Sequence, residues 1–303
     1  MSLLVLQGAV EQGFIYALVA LGLYISFRTL DIADLTTDGT FTLGAAVSAV
    51  FTVQGQPLLG VVLAFFCGAL AGFVTALLQT KLGVQPILAG IITMTALYSV
   101  NLMVMGKPNI NFFKEKTIFT AAEAMPGGFG SLLQAAAITA VLCVLLVLFL
   151  RTQLGLSLRA TGDNRDMVSA SSINPAFTTT VGLCVANAFT GLSGCLLAQS
   201  QKSVSIDIGT GMVTIALASL LMGQVLLGKG SILKRAIGMV VGAFAFRLVY
   251  TIALRLDMPA FMLKLVSSVI VVLAIATPYF KKQLPMLRRR MAARKEARLH
   301  AED

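Results

Sequence analysis

Apolar runs of about twenty residues, separated by short polar loops, recur along this chain and leave few folds open. Residues 4–27, 57–80, 86–105, 132–150, 176–198, 236–254 and 260–279 are each long enough to cross the hydrocarbon layer as a helix. The runs do not alternate apolar and polar residues, as the strands of a membrane barrel would. Backbone polar groups in lipid must be bonded within the segment, so these runs are predicted to be helices. Composition agrees. Hydrophobic residues make up 57% and charged residues 12%, with mean hydropathy +0.88, where a soluble domain carries about 25% charged residues. The expected fold is all-α: a polytopic membrane bundle of about eight to nine spans, counting broken half-helices.

Two apolar runs, 41–53 and 212–227, are short for a full crossing. The first follows Asp34, Thr36, Thr37, Asp38 and Thr40, a cluster of helix-capping types. The second follows Asp207, Gly209, Thr210 and Gly211. Each comes after a full span, and 34–46 weakly resembles 207–218, so the chain reads as two weakly similar halves. Paired interrupted segments place a substrate path near the interface of the halves. Its polar candidates are Asp34, Thr36, Thr37, Asp38, Thr40, Thr42 and Asp207, with Asn101, Asn187 and Thr190 inside spans. Ionisable groups near membrane depth are functional candidates, Asp31 among them. Capping explains Asp38 equally well, and interhelical hydrogen bonds explain the asparagines and Thr190. Gly68 with Gly72, and Gly238 with Gly242, suit close packing inside the bundle.

Basic residues set the predicted orientation. Eight of the 23 lie in the tail 281–298, and alternation from there puts 16 of 23 on one side. That side is cytoplasmic by the positive-inside rule, with the N-terminus outside and the C-terminus in. The expected organisation is a membrane domain over 1–280 and a basic cytoplasmic tail over 281–303, the tail also touching anionic lipid. The N-terminal run lacks a basic stretch before it, so no cleaved signal is expected. Net charge of +10 is accounted for by topology and does not call for nucleic acid.

Catalytic chemistry finds little footing. Cys67, Cys143, Cys184 and Cys195 lie in apolar runs without metal spacing, and His300 stands alone in the polar tail. No metal site and no enzymatic function are expected. Residues 223–230 come close to a phosphate-binding loop, but Gly230 stands where the magnesium-binding hydroxyl belongs. Energy for transport would then come from a partner, unless the carboxylates at Asp31, Asp34 or Asp38 couple it to ions.

Between two spans lies a polar island, 158–175. Asp163 or Asn164 caps a predicted short helix over 167–173, and Asn174-Pro175 restarts a helix with Asn as cap and Pro in its first turn. Within it, Arg159-Ala160-x-Gly162-x-Asn164, Ala170 and Ile173-Asn174 resemble the cytoplasmic coupling loop of permeases of bacterial ATP-binding-cassette (ABC) importers, of the branched-chain amino acid and ribose type. Gly13-Phe14-Ile15-Tyr16-Ala17-Leu18 with Asp38-Gly39-Thr40-Phe41 is similar to that family's opening. Ala218-Ser219-Leu220-Leu221-Met222-Gly223 with Gly228-Lys229-Gly230-Ser231 is similar to its late loop.

The resemblance implies a multi-pass permease subunit of the bacterial inner membrane that moves a small polar solute by alternating access. It implies a cytoplasmic ABC ATPase as partner, an extracytoplasmic substrate-binding protein, and pairing with itself or a related permease. ATP and magnesium would belong to the ATPase, and this chain would hold no cofactor. The loop 156–175 would meet the ATPase through Arg159, Gly162, Asn164, Arg165, Asp166, Met167, Ser171, Ile173 and Asn174. Where the amino-acid branch usually carries His-Gly-Glu, this chain reads Thr37-Asp38-Gly39-Thr40. It is most similar to the branch associated with aromatic or other amino acids. An amino acid is therefore the expected cargo, branched-chain or aromatic, with a sugar or nucleoside as the alternative.

Overall fold

A computed structural model describes residues 3–123, 129–228 and 230–255, with isolated positions up to 276. The predicted span 260–279 and the tail 281–303 lie outside these continuous stretches. Helix α1 (Leu3–Leu23) continues through a wider π turn, Tyr24–Thr29. Then come α2 (Thr37–Val53), α3 (Pro57–Thr80), α4 (Pro86–Met105), strand β1 (Asn109–Asn111), a single turn α5 (Thr120–Glu123) and α6 (Gly130–Arg151). The polar island folds as α7 (Gln153–Asp163) and α8 (Arg165–Ala170). The chain closes with α9 (Pro175–Gln201), β2 (Ser203–Ser205), α10 (Met212–Leu227) and α11 (Ile232–Arg255). Among the described residues, six helices are long and apolar enough to cross a membrane, and α2 and α10 are shorter. The all-α polytopic bundle expected from the sequence is what forms.

Proline starts three of these helices, Pro57, Pro86 and Pro175, where its missing N–H costs nothing and its fixed φ suits the first turn. Helix α2 begins at Thr37, four residues before the predicted apolar run, because Thr37, Asp38 and Thr40 of its capping cluster are themselves helical. Helix α11 begins at Ile232, so Lys234 and Arg235 sit in its first turn and not in a loop.

Helix α9 is the axis of the bundle. Ser193 Oγ donates to the Ile15 carbonyl of α1 at 2.6 Å, and Thr40 Oγ1 of α2 donates to Asn187 Oδ1 at 2.9 Å. Helix α3 lies against it so closely that a Cβ on Gly68 would stand 2.5 Å from the Asn187 carbonyl oxygen. One on Gly72 would strike the Leu183 carbonyl. The reading of these glycines as internal packing contacts holds, and Gly242 likewise meets Ser219 of α10. Since the obstacle is backbone, a side chain at Gly72 must push the helices apart. Gly72→Leu should therefore cost about 3 kcal/mol, the upper end for overpacking, seen as a lower unfolding midpoint in detergent.

The segments that follow α4 and α9 are joined. Strands β1 and β2 pair antiparallel, Asn109 opposite Ser205 and Asn111 opposite Ser203. Ile110, Phe112, Val204 and Ile206 pack from this ribbon onto Ala45, Ala46 and Ala49 of α2. That pairing joins stretches over ninety residues apart and left no local mark in the sequence.

Candidate functional site

The short helices of the two halves run in opposite directions, and their starts meet inside the bundle. Thr40, Gly44 and Ser48 of α2 face Asn187, Gly191 and Gln199 of α9 in rising order, so α2 is parallel to α9. Helix α10 follows the return from α9 and runs the other way. At the junction the Asp38 carboxylate takes two backbone N–H groups of the α10 start, Gly211 and Val213, both at 2.8 Å. Thr42 Oγ1 accepts from Gly209 N at 3.1 Å. A carboxylate at a helix N-terminus bonds orphan amides and balances the helix dipole. Asp38 does so for α10 from the first turn of α2.

Asp34 closes a second knot, deeper in the bundle. It is 2% exposed, and its carboxylate accepts from Thr36 N at 2.9 Å and from Asn187 Nδ2 at 2.7 Å. Thr36 Oγ1 pairs with Thr75 Oγ1 of α3 at 2.8 Å, and Thr37 Oγ1 donates to the Asp34 carbonyl at 3.3 Å. Asp34, Thr36, Thr37, Thr40 and Asn187 thus form one buried polar cluster tying α2, α3 and α9.

Asp38, Thr42, Asn101 and Asp207 instead line a recess of about 300 Å³ between α2, α4 and the loop entering α10. Thr95, Tyr98 and Thr210 add hydroxyls to its wall. Thr190 belongs to neither group: its hydroxyl donates to the Ala186 carbonyl at 3.1 Å, beneath Gly22 of α1. The ten candidates therefore divide into a structural knot, a recess and one packing residue. Tyr98 went unnamed in the sequence reading, although Met94, Tyr98 and Asn101 share one face of α4 at helical spacing. Asp31 is exposed, with φ +56, and lies outside both groups.

The island is anchored on one side and open on the other. Thr152 caps α7 and Asn164 caps α8, the latter accepting from Met167 N at 3.0 Å. Asn174 Oδ1 takes Ala176 N and Phe177 N at the start of α9. The short helix ends at Ala170, before the predicted 173, with Ser172 turned to φ +61. Leu158, Thr161 and Val168 are buried, and Thr161 Oγ1 pairs with Thr178 Oγ1 at 2.8 Å. Gly162 is half-buried, and a Cβ there would strike the Thr29 carbonyl at the π turn of α1. Arg159 is half-buried, and its Nε has no partner among the described residues. Arg165 bonds Thr179 Oγ1 at 3.2 Å while remaining exposed. Asn164, Asp166, Met167, Ser171 and Asn174 face outward, Met167 at 68% exposure, and Ile173 is half-buried.

The family model for the branched-chain amino acid transport system permease component matches residues 5–275. The chain belongs to that family. The permease is 34% identical over 267 residues to a tyrosine transport system permease protein of Clostridioides difficile, covering 88% of each chain. It is 26% identical to the galactose/methyl galactoside import permease protein MglC of Haemophilus influenzae, over 88% of this chain and 83% of that one. It is 24% identical to the ribose import permease protein RbsC of Escherichia coli, over 88% and 82%. No solved structure matches it. The permease is a multi-pass membrane transport component of an ABC system, and not an enzyme.

Proposed function

We propose that this permease is the membrane subunit of an ATP-driven importer that carries an amino acid. It works with a cytoplasmic ABC ATPase, an extracytoplasmic binding protein and a second permease copy or relative, in the bacterial inner membrane. The island lies on the cytoplasmic side with the C-terminus, and the N-terminus lies outside. The observation that carries the reading is an exposed helix, α8, whose two flanks both lead to the buried knot. Gly162 on α7 abuts Thr29, which lies one short loop ahead of Asp34, and Asn174 opens α9, which carries Asn187. A push on α8 by closing ATPases therefore reaches Asp34 and Asn187 from both sides. Opposed movement of these partners gives a two-state element of the kind alternating access needs.

Cargo choice rests on the recess and on the tyrosine-transport relative, whose match is nearer than those of the two sugar permeases. The relatives named for galactose and ribose support a sugar as the second reading. Competition decides between them: in vesicles holding the whole transporter, excess L-tyrosine or L-leucine should block uptake of labelled amino acid, and D-ribose should not. ATP-dependent uptake of labelled D-ribose, with no uptake of labelled amino acid, contradicts the amino-acid reading.

The contact at Gly162 has its own test. Gly162→Ala leaves the outward face of α8 intact and moves α7 off Thr29. Uptake per ATP hydrolysed should fall by about fivefold or more, the range of a lost coupling of 1–3 kcal/mol. An unchanged ratio removes Gly162 from the relay.

A further inference from the structure

The recess between α2, α4 and the α10 entry is chemically one-sided. Among the described residues its lining includes two carboxylates, Asp38 and Asp207, and no lysine or arginine. Two of its four hydroxyls are already spent as donors on backbone: Thr42 Oγ1 to the Asp38 carbonyl at 3.2 Å, Thr95 Oγ1 to the Ile91 carbonyl at 2.8 Å. Asn101 adds a further acceptor. It is 1% exposed, and its Nδ2 donates to the Gly39 carbonyl at 3.1 Å, which fixes the orientation of the amide. Its Oδ1 is buried and has no partner among the described residues. Buried acceptors are nearly always bonded, so an orphan beside a cavity marks the place of an absent donor. An anion is ill suited there, because Asp38 already occupies the amides at the α10 start.

We propose that this recess is the seat of a protonated amine on the transported solute. Asn101 Oδ1 and Asp207 receive the ammonium N–H groups, and Met94 and Tyr98 form the wall against the carbon skeleton. An ammonium supplies three donors and a positive charge, which matches surplus acceptors and net negative charge together. The proposal rests on the importer reading above and sharpens it: within the membrane, the cargo is held by its amine.

Two analogues of tyrosine separate the ammonium from everything else. Tyramine keeps the amine and lacks the carboxylate, and 3-(4-hydroxyphenyl)propionate does the reverse. Both are titrated against labelled L-tyrosine bound to the full-length permease, assembled with its ATPase in nanodiscs. Tyramine should displace the label and the propionate should not. Asn101→Leu and Asp207→Asn should each weaken displacement by tyramine about tenfold, as expected for loss of a hydrogen bond to a charged group. Asp207 is exposed, so its variant tests the site even where the buried Asn101→Leu fails to fold. Equal displacement by the two analogues, no displacement by tyramine, or no tyrosine bound at all overturns the proposal. Uptake by the whole transporter is measured beside it. Amino-acid uptake with a failed tyramine result rejects the subsite and leaves the importer standing, whereas uptake of D-ribose alone rejects both.

Discussion

Met167→Glu is expected to abolish ATP-driven uptake while leaving the permease folded. Met167 is 68% exposed on α8, so a carboxylate there meets water in the isolated subunit and costs the fold little. Its neighbour Val168 is 3% exposed and holds the helix down. Against a docked ATPase the same carboxylate loses its water without gaining a partner. Losing one central apolar anchor costs about 2 kcal/mol or more, roughly thirtyfold in affinity, and an unpaired buried charge adds to that. Co-purification with the ATPase should be lost along with uptake, while the unfolding midpoint stays at the wild-type value. Retained co-purification and uptake would show that α8 does not dock.

Asn187→Leu is expected to have the largest effect on folding. It removes the 2.7 Å bond to Asp34 and the acceptor for Thr40 in one step. Interhelical hydrogen bonds in membranes are worth about 0.6 to 2 kcal/mol each. A hydrogen bond to a charged group is worth more, about 1.5–3 kcal/mol, so the loss at Asp34 should dominate. Of the two donors described above, Asp34 keeps only the Thr36 amide. The double variant Asp34→Ala/Asn187→Leu should accordingly be less damaged than the sum of the singles, because no charge remains to strand. Strict additivity in unfolding midpoints would separate the two residues energetically.

What was legible in the sequence was what local chemistry decides. Spans follow from run length, starts from Pro57, Pro86 and Pro175, and the island's breaks from Asn164 and Asn174, each capping a helix within three residues. The helix α7 was harder to see because its apolar stripe is short and mixed with Ser157, Arg159 and Asp163. Asp38 shows the limit most clearly. Its type and place in a first turn suggest a cap, but the helix it caps begins far along the chain, at Met212. The β1–β2 ribbon, the Asp34–Asn187 bond and the orphaned Asn101 Oδ1 depend in the same way on which distant segments meet. Periodicity along one segment carries no such information. Gly162 fits the family motif by type, and its close approach to Thr29 is likewise set by a distant part of the chain.

An ATPase acting on α7 and α8 is expected to drive this permease, which proteoliposomes holding the permease, its ATPase and its binding protein, with ATP supplied on the ATPase side, would show. Uptake should require hydrolysable ATP and all three components, and should continue at an unchanged rate when a proton uncoupler is added at constant ATP. Uptake by the permease alone, or its collapse on uncoupling with ATP held constant, would contradict the account and return the work to an ion gradient.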